Sequence, residues 1–299
     1  MVKLNVELND DGKKIATFIT SKYPELSVNN VYKALRKKDI KVNGKRINEN
    51  IPISYGDKIE VYISDEILNG FSKNPEIQKI YEDDNVLVVN KPKNLEVEGK
   101  NSLTEILEKS YNFIKPCHRI DRNTIGLVLF AKNESALNEI IEMFKNFQIE
   151  KHYVACCYGI SPAKSKTLHS YLFKDSKKKM VYISDTPKTG YMKIETSYKV
   201  IDENKDKKVS LLDVSLHTGR THQIRAHLAH SSLPIIGDGK YGSYEINKKF
   251  GVSSQLLASY SITFHIQSQN GSALNGTKKL GYLDGVTIKL KKVPFTEYL

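Results

Sequence analysis

The stretch His118-Arg119-Ile120-Asp121-Arg122-Asn123-Thr124-Ile125-Gly126-Leu127-Val128-Leu129-Phe130-Ala131-Lys132 sets the reading of the whole chain. Its second half, Gly126 to Ala131, is a short continuous apolar run, the pattern of a buried strand. Its first half places one carboxylate, Asp121, between two arginines, just before the chain enters that strand. A carboxylate held by cations at the mouth of a sheet is a candidate nucleophile or base. The same arrangement also serves as a structural ion pair at a strand end, and the stretch alone leaves both readings open.

Composition narrows the partners. The chain has 299 residues, 39% of them apolar, which allows two domains and a sizeable core. A formal net charge of +12 points to a polyanion, either nucleic acid or an anionic membrane surface. No apolar run reaches membrane-spanning length, and there is no amphipathic basic arm. The first ten residues lack the basic and apolar blocks of a signal peptide. Nucleic acid is the expected partner, with no membrane association. Cys117, Cys156 and Cys157 form no CxxC pair, which predicts a reducing cytoplasm and no zinc site.

Upstream of the opening stretch, Ile15, Phe18 and Ile19 share one face of a short helix that ends near Pro24. Ser27 is placed as the N-cap of a second helix, with Val28, Val31 and Leu35 at helical spacing. That helix carries Lys33, Arg36, Lys37 and Lys38. Asn43-Gly44 then signals a hairpin, and Gly56-Asp57 a second turn before the alternating strand Lys58 to Ile63. This order resembles the S4 RNA-binding module. The resemblance implies that Arg36, Lys37, Lys38, Lys41, Lys45 and Arg46 contact RNA phosphates, a salt-dependent and sequence-indifferent attraction. The family's glycine before the first hairpin strand is replaced by Lys38-Asp39. Residues 70 to 80, with Gly and Pro, read as a linker, so the expected domains are 1–72 and 73–299.

Beyond the linker, strands are expected over Ile77–Tyr81, Val86–Val89, Lys151–Tyr158 and around Leu212–Leu216. Ser102 and Glu105 form a capping box before a helix. A second helix begins at Asn133-Glu134, its inward stripe read as Leu137, Ile140, Ile141, Phe144 and Phe147. A third is expected over Thr221–His230, with Ile224 and Leu228 inward. The Lys-, Ser- and Thr-rich segment 174–190 reads as a mobile loop over an anionic ligand. Several strands with few helices in irregular order predict an α+β fold with a mixed sheet.

His118-Arg119-Ile120-Asp121-Arg122 resembles the RluA/RluD-type pseudouridine synthases, whose motif is His-Arg-Leu-Asp-Arg-Asp-Thr-Ser-Gly. The likeness continues in order through Asn90-Lys91-Pro92, the Lys151-x-Tyr153 pair, Thr218-Gly219-Arg220-Thr221-His222-Gln223-Ile224-Arg225, and Gly237-Asp238 with Tyr241-Gly242. It departs from the family at Ile120, Asn123 and Ile125, at Glu98 where a His is usual, and at Leu257-Ala258-Ser259 where the family has Leu-His-Ala. The resemblance implies a catalytic domain on a mixed, mainly antiparallel sheet. It implies an RNA pseudouridine synthase that needs no cofactor and no metal and acts on structured RNA; the sequence carries no sign of oligomeric state, and a monomer is the default expectation. Large-subunit ribosomal RNA is favoured as substrate, with transfer RNA as the other option. It assigns Asp121 as nucleophile or base, Tyr153 as the ring packed against the target base, and Arg220 as the ion-pair partner of Asp121. Arg119, Arg122, Lys151 and Arg225 are then expected to contact RNA or support the site.

Other functional classes fit parts of the sequence less well. A non-catalytic RNA-binding protein on the same scaffold would not need Asp121, Tyr153 and Arg220 together. An S4-linked methyltransferase would need a Gly-rich cofactor loop after a first strand. Gly237-Asp238-Gly239-Lys240-Tyr241-Gly242 fits GxGxxG but lacks the framing strand–helix pattern of a dinucleotide site. His217, His222, His227 and His230 are not spaced along one helix face, so a zinc cluster is not expected.

Overall fold

The computed structural model describes residues 2–24, 26–63, 75–266 and 279–299. The chain divides into two compact units, Met1–Glu76 and Ile77–Leu299. Residues 70–74 of the segment read as a linker lie outside the described residues, and its last three residues already belong to a strand that begins at Gln78.

In the first unit, helices α1 (Ile15–Lys22) and α2 (Val28–Arg36) accompany a four-stranded antiparallel sheet. Its strands are β1 (Val2–Asn5), β2 (Ile40–Val42), β3 (Lys45–Ile47) and β4 (Lys58–Val61), in the order β1-β4-β2-β3. Ile15, Phe18 and Ile19 meet Val31, Leu35, Ile40 and Ile59 in one core. Val28, read as part of that face, is half exposed. The Ser27 hydroxyl caps α2 by accepting from the Asn30 N–H at 3.3 Å. Asn43 and Gly44 both adopt positive φ, the conformation a two-residue hairpin of this twist requires. Lys38 adopts φ +58 without being a glycine, and the Arg46 guanidinium bonds its carbonyl at 2.6 Å.

The second unit is built on one mixed sheet. Its strands are β5 (Gln78–Glu82), β6 (Val86–Lys91), β7 (Lys115–Pro116), β8 (Ile125–Ala131), β9 (Ile149–Tyr158), β10 (Ser165–Asp175), β11 (Met180–Ser184), β12 (Met192–Asn204), β13 (Val209–Leu216), β14 (Leu257–Phe264) and β15 (Thr287–Lys289). The order is β11-β10-β12-β13-β9-β14-β8-β6-β5, with β15 on β14 and β7 on β8. Among the described residues only the β14–β8 pair is parallel. The helices are α3 (Leu103–Glu108), α4 (Glu134–Lys145), α5 (Gln223–His230) and α6 (Tyr244–Lys249). No helix among the described residues is long and apolar enough to cross a membrane.

Strand β8 explains why its sequence is apolar without alternation. Val128 and Phe130 pack into one core with Val89, Tyr153 and Ile224. Leu127, Leu129 and Ala131 pack into a second core with Val86, Ile140 and Phe264. Both faces of β8 are covered, so every position is apolar. Gly126 begins the run at φ +105, where a Cβ would meet the Ser259 carbonyl oxygen at 2.1 Å. Only glycine permits the close β8–β14 approach there.

Two expectations change. In α4 the buried residues are Ala136, Ile140 and Met143. Phe147 is 77% exposed and Ile141 lies outside the core, because the helix stops at Lys145 and its inward face is turned from the stripe read in the sequence. Residues 174–184 are the tip and second strand of a hairpin, with β10 and β11 paired from Tyr171–Ser184 to Asp175–Met180. The polar composition of that segment hid a strand exposed along one side, where Val181 and Ile183 alternate with Tyr182.

Candidate active site

Asp121 lies in the turn that delivers the chain into β8, and three anchors fix that turn. Thr124 N–H donates to the Asp121 carbonyl at 3.0 Å, while the buried Thr124 hydroxyl accepts from Gln255 Nε2 at 2.9 Å. Ile120 is buried in the larger core. Lys91, at the end of β6, has no exposed surface. Its ammonium donates to the carbonyls of Pro92 and Leu95 at 2.8 Å and of Arg122 at 2.9 Å. Burial pushes the Lys91 pKa down to about 7, against the pull of Glu96 and Asp121. A buried polar group is retained where it is bonded, and Lys91 uses all three donors.

The Asp121 carboxylate is held by Arg225, whose Nη1 donates to Oδ2 at 2.7 Å. The other edge of the guanidinium grips Asp238, Nε to Oδ2 at 2.7 Å and Nη2 to Oδ1 at 2.9 Å. Burial raises the Asp238 pKa, but the Arg225 bonds and the Lys240 and Tyr241 N–H groups hold it below the usual carboxylate range. Those two N–H groups lie 2.8 and 3.1 Å from Oδ1. The Tyr241 ring lies 5.3 Å from the guanidinium carbon, at a cation–π distance. Arg225 thus bridges a buried carboxylate and one facing the cleft, in fixed fork geometry.

The ion pair was expected on Arg220, and the structure places it on Arg225. Helix α5 starts only at Gln223, and Arg225 lies on its buried side, one turn before Leu228. Arg220 sits in the exposed turn before it, where its N–H donates to Gln223 Oε1 at 3.0 Å. Gln223 also accepts from the Thr218 hydroxyl and donates to the Glu195 carbonyl, locking the turn. Arg225 was legible in principle: a cation on the inward face of a helix requires a buried carboxylate.

Asp121 opens into a cleft of about 760 Å³ whose walls include Arg119, Lys151, Arg220, His222 and Arg225. Tyr153, on β9, is 5% exposed and lines a smaller cavity of about 100 Å³ that shares Asp121, Lys151 and Arg225 with the cleft. Burial first, and then the Asp121 carboxylate, push the Tyr153 phenol pKa upward, so it keeps its proton. Burial lowers the Lys151 pKa to about 8, and its ammonium stands over the Phe144 ring at 4.7 Å. Arg119 is exposed, 3.7 Å from Glu98. Arg122 is exposed and its Nε donates to the Asn94 carbonyl at 3.2 Å. The Asp121 site thus gathers Tyr153, Lys151, Arg119, Arg220 and Arg225, and Arg122 lines the same cleft with its Nε bonded to Asn94. The six cations named from the S4 resemblance belong to the first unit. Arg36, Lys37, Lys38, Lys45 and Arg46 are exposed there, and Lys41 lies over the Tyr62 ring at 5.0 Å.

Asp238, Lys91 and Tyr241 acquire roles that the sequence reading did not give them. The Gly-rich segment carries the signal for Asp238. A Cβ at Gly237 would meet the Ser254 carbonyl oxygen at 2.0 Å, and one at Gly242 the Asp238 carbonyl oxygen at 2.6 Å. These glycines make the tight turn that presents Asp238. The four histidines have four separate settings: His217 with Ser197, His222 with Tyr241, His227 with Thr196 and His230 with Asp185. His118 Nε2 accepts from the Leu129 N–H at 3.1 Å, so it does not activate Cys117, whose thiol burial pushes up to about 12.

Comparison with known proteins gives the chain a family. Residues 85–230 match the RNA pseudouridylate synthase family. The ribosomal large subunit pseudouridine synthase C of Buchnera aphidicola subsp. Baizongia pistaciae is 31% identical over 281 residues, 87% of this chain and 88% of that protein. Its namesake from Vibrio cholerae is 29% identical over 282 residues, with the same coverage of each chain. Among solved structures, human RNA pseudouridylate synthase domain containing 1 shares the fold at a TM-score of 0.57 and 20% identity, covering 75% of this chain and 92% of that one. The chain belongs to the RluA/RluD-type family and is an RNA pseudouridine synthase.

Proposed function

We propose that Asp121 is the catalytic carboxylate and that the substrate is a uridine of large-subunit ribosomal RNA. The observation that carries the catalytic assignment is the Asp121–Arg225–Asp238 chain at the cleft, beside Tyr153. Isomerisation breaks the N1–C1′ bond, turns the uracil and joins C5 to C1′; C5 loses a proton and N1 gains one. No net oxidation occurs. Asp121 acts as nucleophile or base, and Arg225 fixes its carboxylate for attack. Tyr153 keeps its proton and offers a flat face to the extruded uracil. Extrusion from a stacked RNA costs a few kcal/mol, offset by phosphate contacts from Arg119, Arg122, Lys151 and Arg220.

The ribosomal assignment is supported by the names of the relatives, which are ribosomal large subunit enzymes. The first unit, an S4-like module over residues 1–72 joined to a catalytic domain over 73–299, supplies further phosphate contacts through Arg36, Lys37, Lys38, Lys41, Lys45 and Arg46. The enzyme acts as a cytoplasmic monomer. The test is pseudouridine mapping by mass spectrometry after incubation with unmodified large-subunit ribosomal RNA and, separately, unmodified transfer RNA. The wild type modifies the ribosomal RNA. Asp121→Asn loses more than about a thousandfold in kcat while binding the same RNA. Modification confined to transfer RNA overturns the substrate assignment, and pseudouridine formation by Asp121→Asn overturns the catalytic one.

A further inference from the structure

His222 enters the cleft wall in an unusual way. It precedes the first residue of α5 with φ +53 and ψ +18, in the left-handed region, and its side chain makes no capping bond. For a residue with a Cβ that conformation costs on the order of 1 kcal/mol and persists where surrounding contacts impose it. The contact here is Tyr241: His222 Nδ1 lies 2.8 Å from the Tyr241 oxygen, with the two rings edge to face.

That contact bears on the imidazole tautomer. The Tyr241 oxygen already accepts the Val181 N–H at 2.9 Å. The phenol has one proton to give, burial first raises its pKa so that it keeps it, and His222 Nδ1 is the acceptor present. With Nδ1 accepting the phenol proton, the ring hydrogen sits on Nε2. Burial, with the Arg225 and Lys240 cations, opposes protonation of the ring, while Asp121 and Asp238 favour it; the net direction is downward. Nε2 has no protein partner among the described residues, and the ring lines the cleft beside Asp121.

We propose that His222 is a specificity-determining residue whose Nε2–H donates a hydrogen bond to a carbonyl oxygen of the extruded base. The assignment rests on the pseudouridine synthase reading. A neutral donor next to two carboxylates suits a neutral acceptor better than a phosphate, which would favour the charged ring. Uracil presents two carbonyl oxygens. A half-buried donor that meets one of them disfavours a base that offers an amine there, because both groups would be left unpaired.

The first measurement leaves His222 itself unchanged. Nitrogen-15 NMR of the wild-type protein at neutral pH reads the His222 tautomer, expected neutral with the proton on Nε2 and altered in Tyr241→Phe. A proton on Nδ1, or an imidazolium, overturns the proposal. The second uses the RNA that the wild type modifies, made with 2-thiouridine or 4-thiouridine at the target position, since sulfur accepts hydrogen bonds poorly. The wild type is expected to turn over one of the two about tenfold more slowly than uridine. His222→Phe should lower kcat on uridine by a similar factor with little change in KM, and lose the discrimination. His222→Asn, which tolerates the left-handed backbone, replaces it should the phenylalanine variant unfold. Equal turnover of all three RNAs by the wild type, or undiminished discrimination by the variants, overturns the proposal. A wild type that makes no pseudouridine in any RNA instead overturns the underlying reading, and the tautomer measurement stands apart from that outcome.

Discussion

Arg225 and Arg220 lie five positions apart in one motif and have different physical settings. Arg225 is buried between two carboxylates, while Arg220 projects from an exposed turn. Truncating Arg225 leaves Asp238 buried without its counter-charge. Arg225→Ala is therefore expected to lose about 3–5 kcal/mol of unfolding free energy, read by chemical denaturation. Arg220→Ala should stay within about 0.5 kcal/mol of wild type and weaken RNA binding instead. Equal stability losses in the two variants would reverse the assignment.

At the scale of elements, the junction of β8 with β14 places the Asp121 turn. It depends on Gly126 meeting Ser259 in a parallel pair. Gly126→Ala forces a Cβ onto a backbone oxygen at positive φ, so a loss of about 2–4 kcal/mol is expected, with kcat falling in the folded fraction because the turn is displaced. A second ladder gives a pH signature. His152 on β9 bonds Asp213 of β13 at 2.7 Å and Glu150 at 3.0 Å. The Asp213 bond, against desolvation, raises its pKa to about 9. With the folded pKa above the unfolded value, the contribution is fully present below about pH 6.5 and is lost as pH rises through about 9. The difference in unfolding free energy between wild type and His152→Gln should shrink over that window by on the order of 1–2 kcal/mol, allowing for solvent screening. A difference that stays constant with pH would remove His152 as its source.

Across the whole molecule, the two units each close a separate core. The cation-bearing face of the first unit can then be altered without disturbing the Asp121 turn. Replacing Lys37, Lys38 and Lys41 with glutamine should weaken RNA binding and reduce the slope of log affinity against log salt by about 2, measured by filter binding over a salt series. At saturating RNA, kcat should be unchanged. An unchanged slope would take the RNA interface away from that face.

The sequence by itself determined the strand ending at Ala131, the two helices and Asn-Gly hairpin of the first unit and the capping residue of α2. These follow from local rules: apolar runs, capping side chains and turn residues with positive φ. Tertiary structure alone decided which arginine holds Asp121. Residues 121, 225 and 238 meet only because β8, α5 and a glycine turn converge, and no local spacing encodes that convergence. It also decided the inward face of α4 and the pairing of the Lys-rich segment 174–184 as a hairpin. In both, polar or apolar character depends on which neighbour covers the element. Lys91 is the sharpest instance. In sequence it is a lysine before a proline, and in the fold it is a buried ammonium whose three hydrogen bonds hold the loop that carries the carboxylate.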